Sequence, residues 1–294
     1  MAIRLARALE DRGRGAVIVN ADSAQVYADL AVLSARPTAQ EMAGFDHRLF
    51  GAWDGSEACS AAAWANRAKV EIAEAHAAGA VPILVGGTGL YLRVLLDGIA
   101  PIPAIDPAVR ATVRALPEDA AWRLLQVEDP LRAAELDPGD RQRIARALEV
   151  KRSTGVTLAD WQLAKAGGIG EEVTLHPLLL LPDRGWLYER CDARFAAMVE
   201  GGALAEVAAL LARGLDPDLP VMRAIGVPEI AAFLRGESAR DAMIAAGQQA
   251  TRNYAKRQYT WFRRQPPEDW PRSEGDKGYE NIDIADHFAS LLRN

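Results

Sequence analysis

Cysteine is almost missing, with Cys59 and Cys191 the two such residues in 294. They lie far apart and match no metal-ligand spacing, which excludes a disulfide framework and a zinc ribbon. Histidine is nearly as scarce. His47, His76, His176 and His287 are scattered without paired spacing, so each reads as a packing or surface residue, and no metal ligand can be named. No apolar run reaches the roughly 18 residues of a membrane span. Arg4, Arg7, Glu10 and Asp11 break any signal-peptide core. A soluble, cytoplasmic protein without membrane contact is expected. Excess positive charge is lacking too, the net charge being −6. That excludes a histone-like protein but not a nucleic-acid binder, for which a local basic face is enough. Aromatics make up only 6%, and the abundance of Ala and Leu favours many helices.

What is present alternates. Residues 2–12 place Ile3, Leu5, Ala6 and Leu9 on one helical face, and Gly13 and Gly15 end it. The strand Ala-Val-Ile-Val-Asn at 16–20 follows. Residues 60–78 read as a helix with Ser60 as N-cap and Gly79 at its end. A strand at 81–85, a glycine turn at 86–89 and a helix from about Leu90 repeat the plan. This is α/β alternation with a mostly parallel sheet. Pro101, Pro103 and Pro107 then mark a boundary, and residues 106–165 read as wholly helical. An apolar strand at 173–182 is expected to resume the sheet. Helices follow at 184–213 and 238–265, then a loose polar tail from 268 with a short helix near 284–293. The division is a core of 1–104 and 172–294, with a helical insertion at 105–171.

Four stretches can carry chemistry. The strand before Asn20 runs into Ala-Asp-Ser, which sets Asp22 and Ser23 where open α/β sheets bind ligands, beyond the carboxyl ends of strands. Helix capping by Asp22 explains the same residues. Gly86-Gly87-Thr88-Gly89 offers backbone amides and a hydroxyl to a phosphate or ribose. It lacks the Lys-Ser/Thr of a Walker A loop, and a plain strand-to-helix turn explains it as well. Residues 140–152 carry Arg141, Arg143, Arg146, Lys151 and Arg152, which suit phosphate contact or a solvated helix face. Residues 252–264 carry Arg252, Lys256, Arg257, Arg263 and Arg264 with Tyr254, Tyr259, Trp261 and Phe262, and no acid. Cations interleaved with aromatics suit phosphate contact and base stacking. Arg223 precedes a small-residue turn and is uninformative alone.

Taken in order, these segments resemble the bacterial tRNA dimethylallyltransferases, also called tRNA isopentenyltransferases. ADSAQVY resembles Asp-Ser-x-Gln-x-Tyr, and ARPT follows where the family has Ala-Lys-Pro-Thr. HRLFG and CSAAAW come at the expected places, and VGGTGLYLRVLLDGI is nearly the family's own wording. DRQRIARALEV, RAIGVPE (with Val227 for the usual Tyr) and TRNYAKRQYTWFRR complete the series. The resemblance implies an α/β, P-loop-NTPase-like parallel sheet flanked by helices, with an all-helical tRNA-binding insertion. It implies ATP-type nucleotide binding, Mg²⁺, a monomer, and two partners: dimethylallyl diphosphate and the tRNA anticodon stem-loop. The implied reaction moves a dimethylallyl group to the exocyclic amine of the adenosine 3′ of the anticodon. By the same resemblance Asp22 accepts the amine proton, and Thr88 and Arg223 belong to the catalytic set, Arg223 and Mg²⁺ stabilising the leaving diphosphate. The implied tRNA contacts are Asp22, Ser23, Ala24 and Gln25, then Thr88 and Arg110. Gln142, Arg143, Ile144, Ala145 and Arg146 follow, then Arg223, Lys256, Arg257, Gln258, Trp261 and Arg263. The family opens with a strand and a Gly-Pro-Thr-Ala-Ser-Gly-Lys-Ser/Thr loop, whereas MAIRLARAL matches the helix after that loop. The expectation is therefore a longer native polypeptide, with little transfer by residues 1–294 alone. The alternative is a remnant that binds the anticodon arm without modifying it. A small-molecule phosphotransferase is a third reading, against which the missing Walker lysine and the basic helix count.

Overall fold

The computed structural model describes residues 1–275 and 282–293. They form two compact units, Met1–Leu95 with Val173–Asn294, and Leu96–Glu172.

The first unit begins with α1 (Ala2–Glu10), which buries Leu5, Ala6 and Leu9. β1 (Gly15–Asn20) follows, its last four residues buried. Then come β2 (Asp46–Arg48), α2 (Ala61–Ala77), β3 (Ala80–Val85) and α3 (Gly89–Asp97). The Ser60 hydroxyl accepts from the Ala63 amide at 3.1 Å and starts α2 as the sequence predicts. The three strands form one sheet in the order β2-β1-β3. All pairs are parallel, with Ile18 opposite His47 on one side and Ile83 on the other. β1 is the middle strand, so its carboxyl end opens onto loops from both neighbours. β2 is unforeseen in the sequence, because Asp-His-Arg has no apolar pattern. It is fixed from α2 instead, where Arg48 reaches Glu71 at 2.9 Å and Glu74 at 2.7 Å.

The second unit holds α4 (Pro107–Arg114), α5 (Glu118–Glu128), α6 (Pro130–Glu135), α7 (Arg141–Thr154) and α8 (Leu158–Leu163). Side chains of Asp106, Asp129, Asp140 and Thr157 cap four of these, and Pro107 and Pro130 stand at helix starts. Its core gathers Val113, Leu125, Ile144, Ala147 and Leu148. The sequence boundary at 105 falls inside this unit, which starts at Leu96.

The chain then returns to the first unit. β4 (Leu179–Pro182) leads to α9 (Arg184–Met198), a π turn (Val199–Ala203) and α10 (Leu204–Ala212). A 3-10 turn (Pro220–Arg223), α11 (Val227–Leu234) and α12 (Arg240–Arg264) come next. β5 (Arg272–Gly275), α13 (Ile284–His287) and α14 (Ala289–Arg293) close it. The expectation of one strand over 173–182 that rejoins the main sheet is corrected. Only Leu179–Pro182 is a strand, and it pairs in parallel with β5 in a separate two-stranded sheet. Pro177 has no amide to give a ladder. Of the tail expected to be partly loose from 268, the first residues are held by Arg272, whose guanidinium donates to the carbonyls of Pro266, Pro267, Glu268 and Trp270, and residues 276–281 lie outside the described residues.

Among the described residues one helical stretch, Arg184–Ala212, is fit, by length and composition alone, to cross a membrane. It is interrupted at Gly202, whose φ is 114°, and Glu206 within it is docked. The Glu206 carboxylate accepts the amides of Ala31, Val32 and Leu33 at 2.6, 2.9 and 2.8 Å. Val207 and Leu210 beside it are buried.

Candidate active site and basic helix faces

The end of β1 is built around Asn20, which is fully buried. Its side-chain amide donates to the carbonyls of Asp22 and Leu49 at 3.0 and 3.1 Å, and its Oδ1 accepts the Asp22 amide at 2.9 Å. Its own carbonyl accepts Trp64 Nε1 at 2.9 Å. Every polar group of a buried Asn is thus engaged, and the backbone that carries Asp22 is clamped. Asp22 itself keeps part of its surface open. Its Oδ1 accepts the Ala24 amide at 2.9 Å. No helix follows, so the capping alternative resolves into a local turn across Asp22–Ala24. Burial raises the Asp22 pKa above the ordinary carboxylate value, against the Ala24 amide and the positive field of Arg194.

The glycine turn after β3 closes over the same spot. The Thr88 amide donates to the Ala21 carbonyl at 3.2 Å. The Ser23 amide donates to Thr88 Oγ1 at 2.8 Å, and that hydroxyl donates to Ser23 Oγ at 3.1 Å. Gly86 must be glycine because a Cβ there would lie 2.1 Å from the Ala21 carbonyl carbon. Asp22, Ser23 and Thr88, distant in sequence, therefore form one shelf.

α12 lies across this turn through residues one and two helical turns apart. Gln258 Nε2 donates to the Gly87 carbonyl at 3.0 Å. Trp261 packs on Gly89, where a Cβ would come within 2.3 Å of the indole. The Tyr254 hydroxyl lies beside the side chains of Thr88, Ser23 and Gln258, and its pKa is raised by burial and by the negative field of Asp22. Tyr254 belongs to the shelf, although the sequence places it only within a basic-aromatic run. Gln258 and Trp261, implied as tRNA contacts, are engaged in holding the turn. Trp261 also lies under Arg93, 5.3 Å from its Cζ, and edge-on to Phe262. Tyr259 and Tyr254 are covered in the same way by Arg184 and Arg257. These faces are used internally, so the base-stacking expectation does not hold for the covered sides. Arg252 is paired with Asp192 of α9 at 2.5 Å: a stretch free of acid in sequence is not free of acid in space. Lys256, Arg257 and Arg263 are exposed.

Two expected residues make other contacts. Arg223 is exposed and bound to Asp218, through its carbonyl and, at 3.5 Å, its carboxylate. The guanidinium whose field reaches Asp22 is that of Arg194, on α9. No motif in the sequence marks Arg194. Gln25 turns its amide to the carbonyls of Ser34 and Ala35, both at 3.0 Å, and so braces the loop after the shelf.

In the second unit, Arg110 of α4 and Arg146 of α7 approach Glu149 at 3.9 and 4.0 Å. Arg143 pairs with its own cap, Asp140, at 3.2 Å, and Gln142 is exposed. Ile144 is 2% exposed in the helical core, and Ala145 packs against that core. The implied run Gln142–Arg146 is therefore corrected at Ile144, whose apolar side chain faces inward with the helical period.

Known proteins share this arrangement. Residues 25–265 match the family described as IPP transferase. The chain is 68% identical over 274 residues to the tRNA dimethylallyltransferase of Erythrobacter litoralis, covering 93% of this chain and 86% of that one. It is similar to the crystal structure of the full-length tRNA isopentenylpyrophosphate transferase from Bacillus halodurans, with a TM-score of 0.65 and 28% identity over 99% of this chain and 89% of that one. It is also similar to a eukaryotic dimethylallyltransferase crystallised acting on tRNA, with a TM-score of 0.73 and 26% identity over 88% of this chain and 65% of that one. The fold is thus the P-loop-like α/β arrangement of these neighbours. With the ordered motifs and the shelf at the end of β1 in place, the matches make the chain a member of the IPP transferase family.

Proposed function

We propose that the chain transfers a dimethylallyl group from dimethylallyl diphosphate to the exocyclic amine of the adenosine 3′ of the anticodon in tRNA. The observation that carries this reading is the Asp22 carboxylate, partly open, desolvated and held by Asn20 and Ala24 beside the hydroxyls of Ser23 and Thr88. The amine is a weak nucleophile because its lone pair is delocalised into the purine. As its nitrogen bonds the allylic carbon, the carbon–oxygen bond breaks and the diphosphate leaves with that electron pair. The amine proton passes to Asp22. A carboxylate whose pKa is raised is a better base there than an ordinary one. The acceptor base must leave its stack to reach such a shelf.

Thr88 and Ser23 are fixed relative to each other, the Ser23 amide donating to Thr88 Oγ1 and that hydroxyl donating to Ser23 Oγ. That preorganisation leaves little to reorient during reaction. Arg194 and Arg223 are the cations we assign to the developing negative charge. Among the described residues no three His, Cys, Asp or Glu side chains converge into a metal cage. Mg²⁺ characteristically takes few protein oxygens together with substrate phosphate, and the hydroxyl oxygens of Ser23 and Thr88 would offer such an ion donors while leaving Asp22 free as the base. When bound it would neutralise the departing diphosphate.

Incubation with labelled dimethylallyl diphosphate and unmodified tRNA tests the proposal. Whatever transfer occurs is expected to place label in tRNA, and none when purine riboside, which lacks the exocyclic amine, replaces the acceptor adenosine. Equal labelling of both RNAs would refute the assignment of the acceptor.

A further inference from the structure

In the second unit a single carboxylate lies beneath three guanidinium groups. Glu149 is 3% exposed. Arg114 Nε is 3.1 Å from its Oε1, while Arg110 Nε and Arg146 Nη1 stand 3.9 and 4.0 Å from its Oε2. The arginine side chains are 46% (Arg110), 62% (Arg114) and 41% (Arg146) exposed. Arg110 and Arg114 are one turn apart on α4, and Arg146 and Glu149 are one turn apart on α7. The cluster therefore has its acid inside and its cations outside. One negative charge cannot balance three positive ones, and only Arg114 is within close hydrogen-bonding distance of it. Arg110 and Arg146 retain donors. Arg146 is further destabilised as a cation by burial and by Arg110, which outweigh Glu149. An external anion with several acceptor oxygens would relieve that repulsion.

We propose that Arg110, Arg114 and Arg146 form a tripod, held from below by Glu149, that seats one phosphodiester of the bound RNA. The proposal rests on the tRNA reading above and adds two residues to it, Arg114 as a ligand and Glu149 as a positioning residue. A phosphodiester presents two free oxygens, which suits convergent guanidinium donors better than isolated lysines would. Glu149 fixes where those donors point by anchoring α4 to α7.

Binding of an anticodon stem-loop RNA to the full chain across a salt series tests the tripod. Arg114→Gln is expected to lower the slope of log affinity against log salt by about 0.7 to 0.9, the share of one phosphate contact. A neutral methylphosphonate at one backbone position should weaken the unmutated chain but add no loss to Arg114→Gln. Glu149→Gln separates positioning from bulk charge by its sign. The variant gains one positive charge, so a merely electrostatic surface binds RNA more tightly, whereas a tripod that has lost its anchor binds more weakly. Thermal melts confirm that each variant is folded, and Arg114→Gln, being a surface change, decides the matter if Glu149→Gln is not. An unchanged slope in Arg114→Gln, or tighter binding by folded Glu149→Gln, would overturn the tripod alone. If the Arg114-dependent part of binding is competed by inorganic diphosphate and no methylphosphonate position affects it, the site holds the donor and the proposal falls. Absence of RNA binding by the unmutated chain would overturn the tRNA reading and the tripod with it.

Discussion

Burial at Asp22 favours the protonated carboxyl, so the folded chain holds that proton more tightly than the unfolded chain does. The stability this contributes is full below the unfolded pKa and is lost as pH rises through the higher folded pKa. Once pH has risen past the folded pKa, the ionised Asp22 therefore works against folding, as strained catalytic groups commonly do. Asp22→Asn keeps an Oδ1 to accept the Ala24 amide and removes the charge. Its melting temperature at neutral pH is expected to equal or exceed that of the unmutated chain, with the difference shrinking in acid; a calorimetric scan at two pH values checks this. Gly86→Ala has the opposite outcome. Its Cβ would lie 2.1 Å from backbone at Ala21, an overpacking that costs about 3 kcal/mol, to be read from the urea midpoint. Asp22 was legible in the sequence because an apolar run ending in Asn-Ala-Asp-Ser has a local signature. Asn20 as a clamp, Tyr254 against Thr88 and Arg194 near Asp22 were not. Those roles join residues 29 to 172 positions apart, and no periodicity encodes them.

Among the elements, long amphipathic helices were readable because their apolar faces repeat every three or four residues. α2, α7 and α12 fall within a few residues of where the sequence puts them. β2 and β5, three and four residues long, are too short for an alternating pattern and depend on Arg48 and Arg272 for anchorage. The docking of α12 was legible as composition, not as geometry, since its aromatics turn inward under arginines. α10 is tied to the loop after β1 by Glu206, whose two oxygens take three amides. Glu206→Gln sets an amide donor against one of those N–H groups and weakens the rest. A loss of about 1–3 kcal/mol is expected, measured by urea unfolding, together with slower transfer because the loop also carries Gln25. Unchanged stability would show that water satisfies those amides equally well.

Taken whole, the chain combines a net charge of −6 with local basic faces in each unit, Lys256, Arg257 and Arg263 in one and Arg110, Arg114 and Arg146 in the other. Total charge is thus a poor guide to its partner, and the distribution of cations is the better one. RNA affinity is expected to fall steeply with salt, by about 0.7 to 0.9 in logarithmic slope for each phosphate neutralised, and a salt series of binding isotherms measures the count. The helical character of residues 106–165 was legible because no strand pattern interrupts their apolar periodicity. The fate of residues 173–182 was not, since an apolar run does not say which sheet it joins. The measurement that bears most directly on the central claim is single-turnover transfer of labelled dimethylallyl to tRNA by Asp22→Asn beside the unmutated chain, with RNA affinity determined on the same preparations. Removing the base is expected to slow transfer by about 10² to 10⁴ while RNA affinity stays within about twofold. Transfer by Asp22→Asn at the unmutated rate would contradict the account.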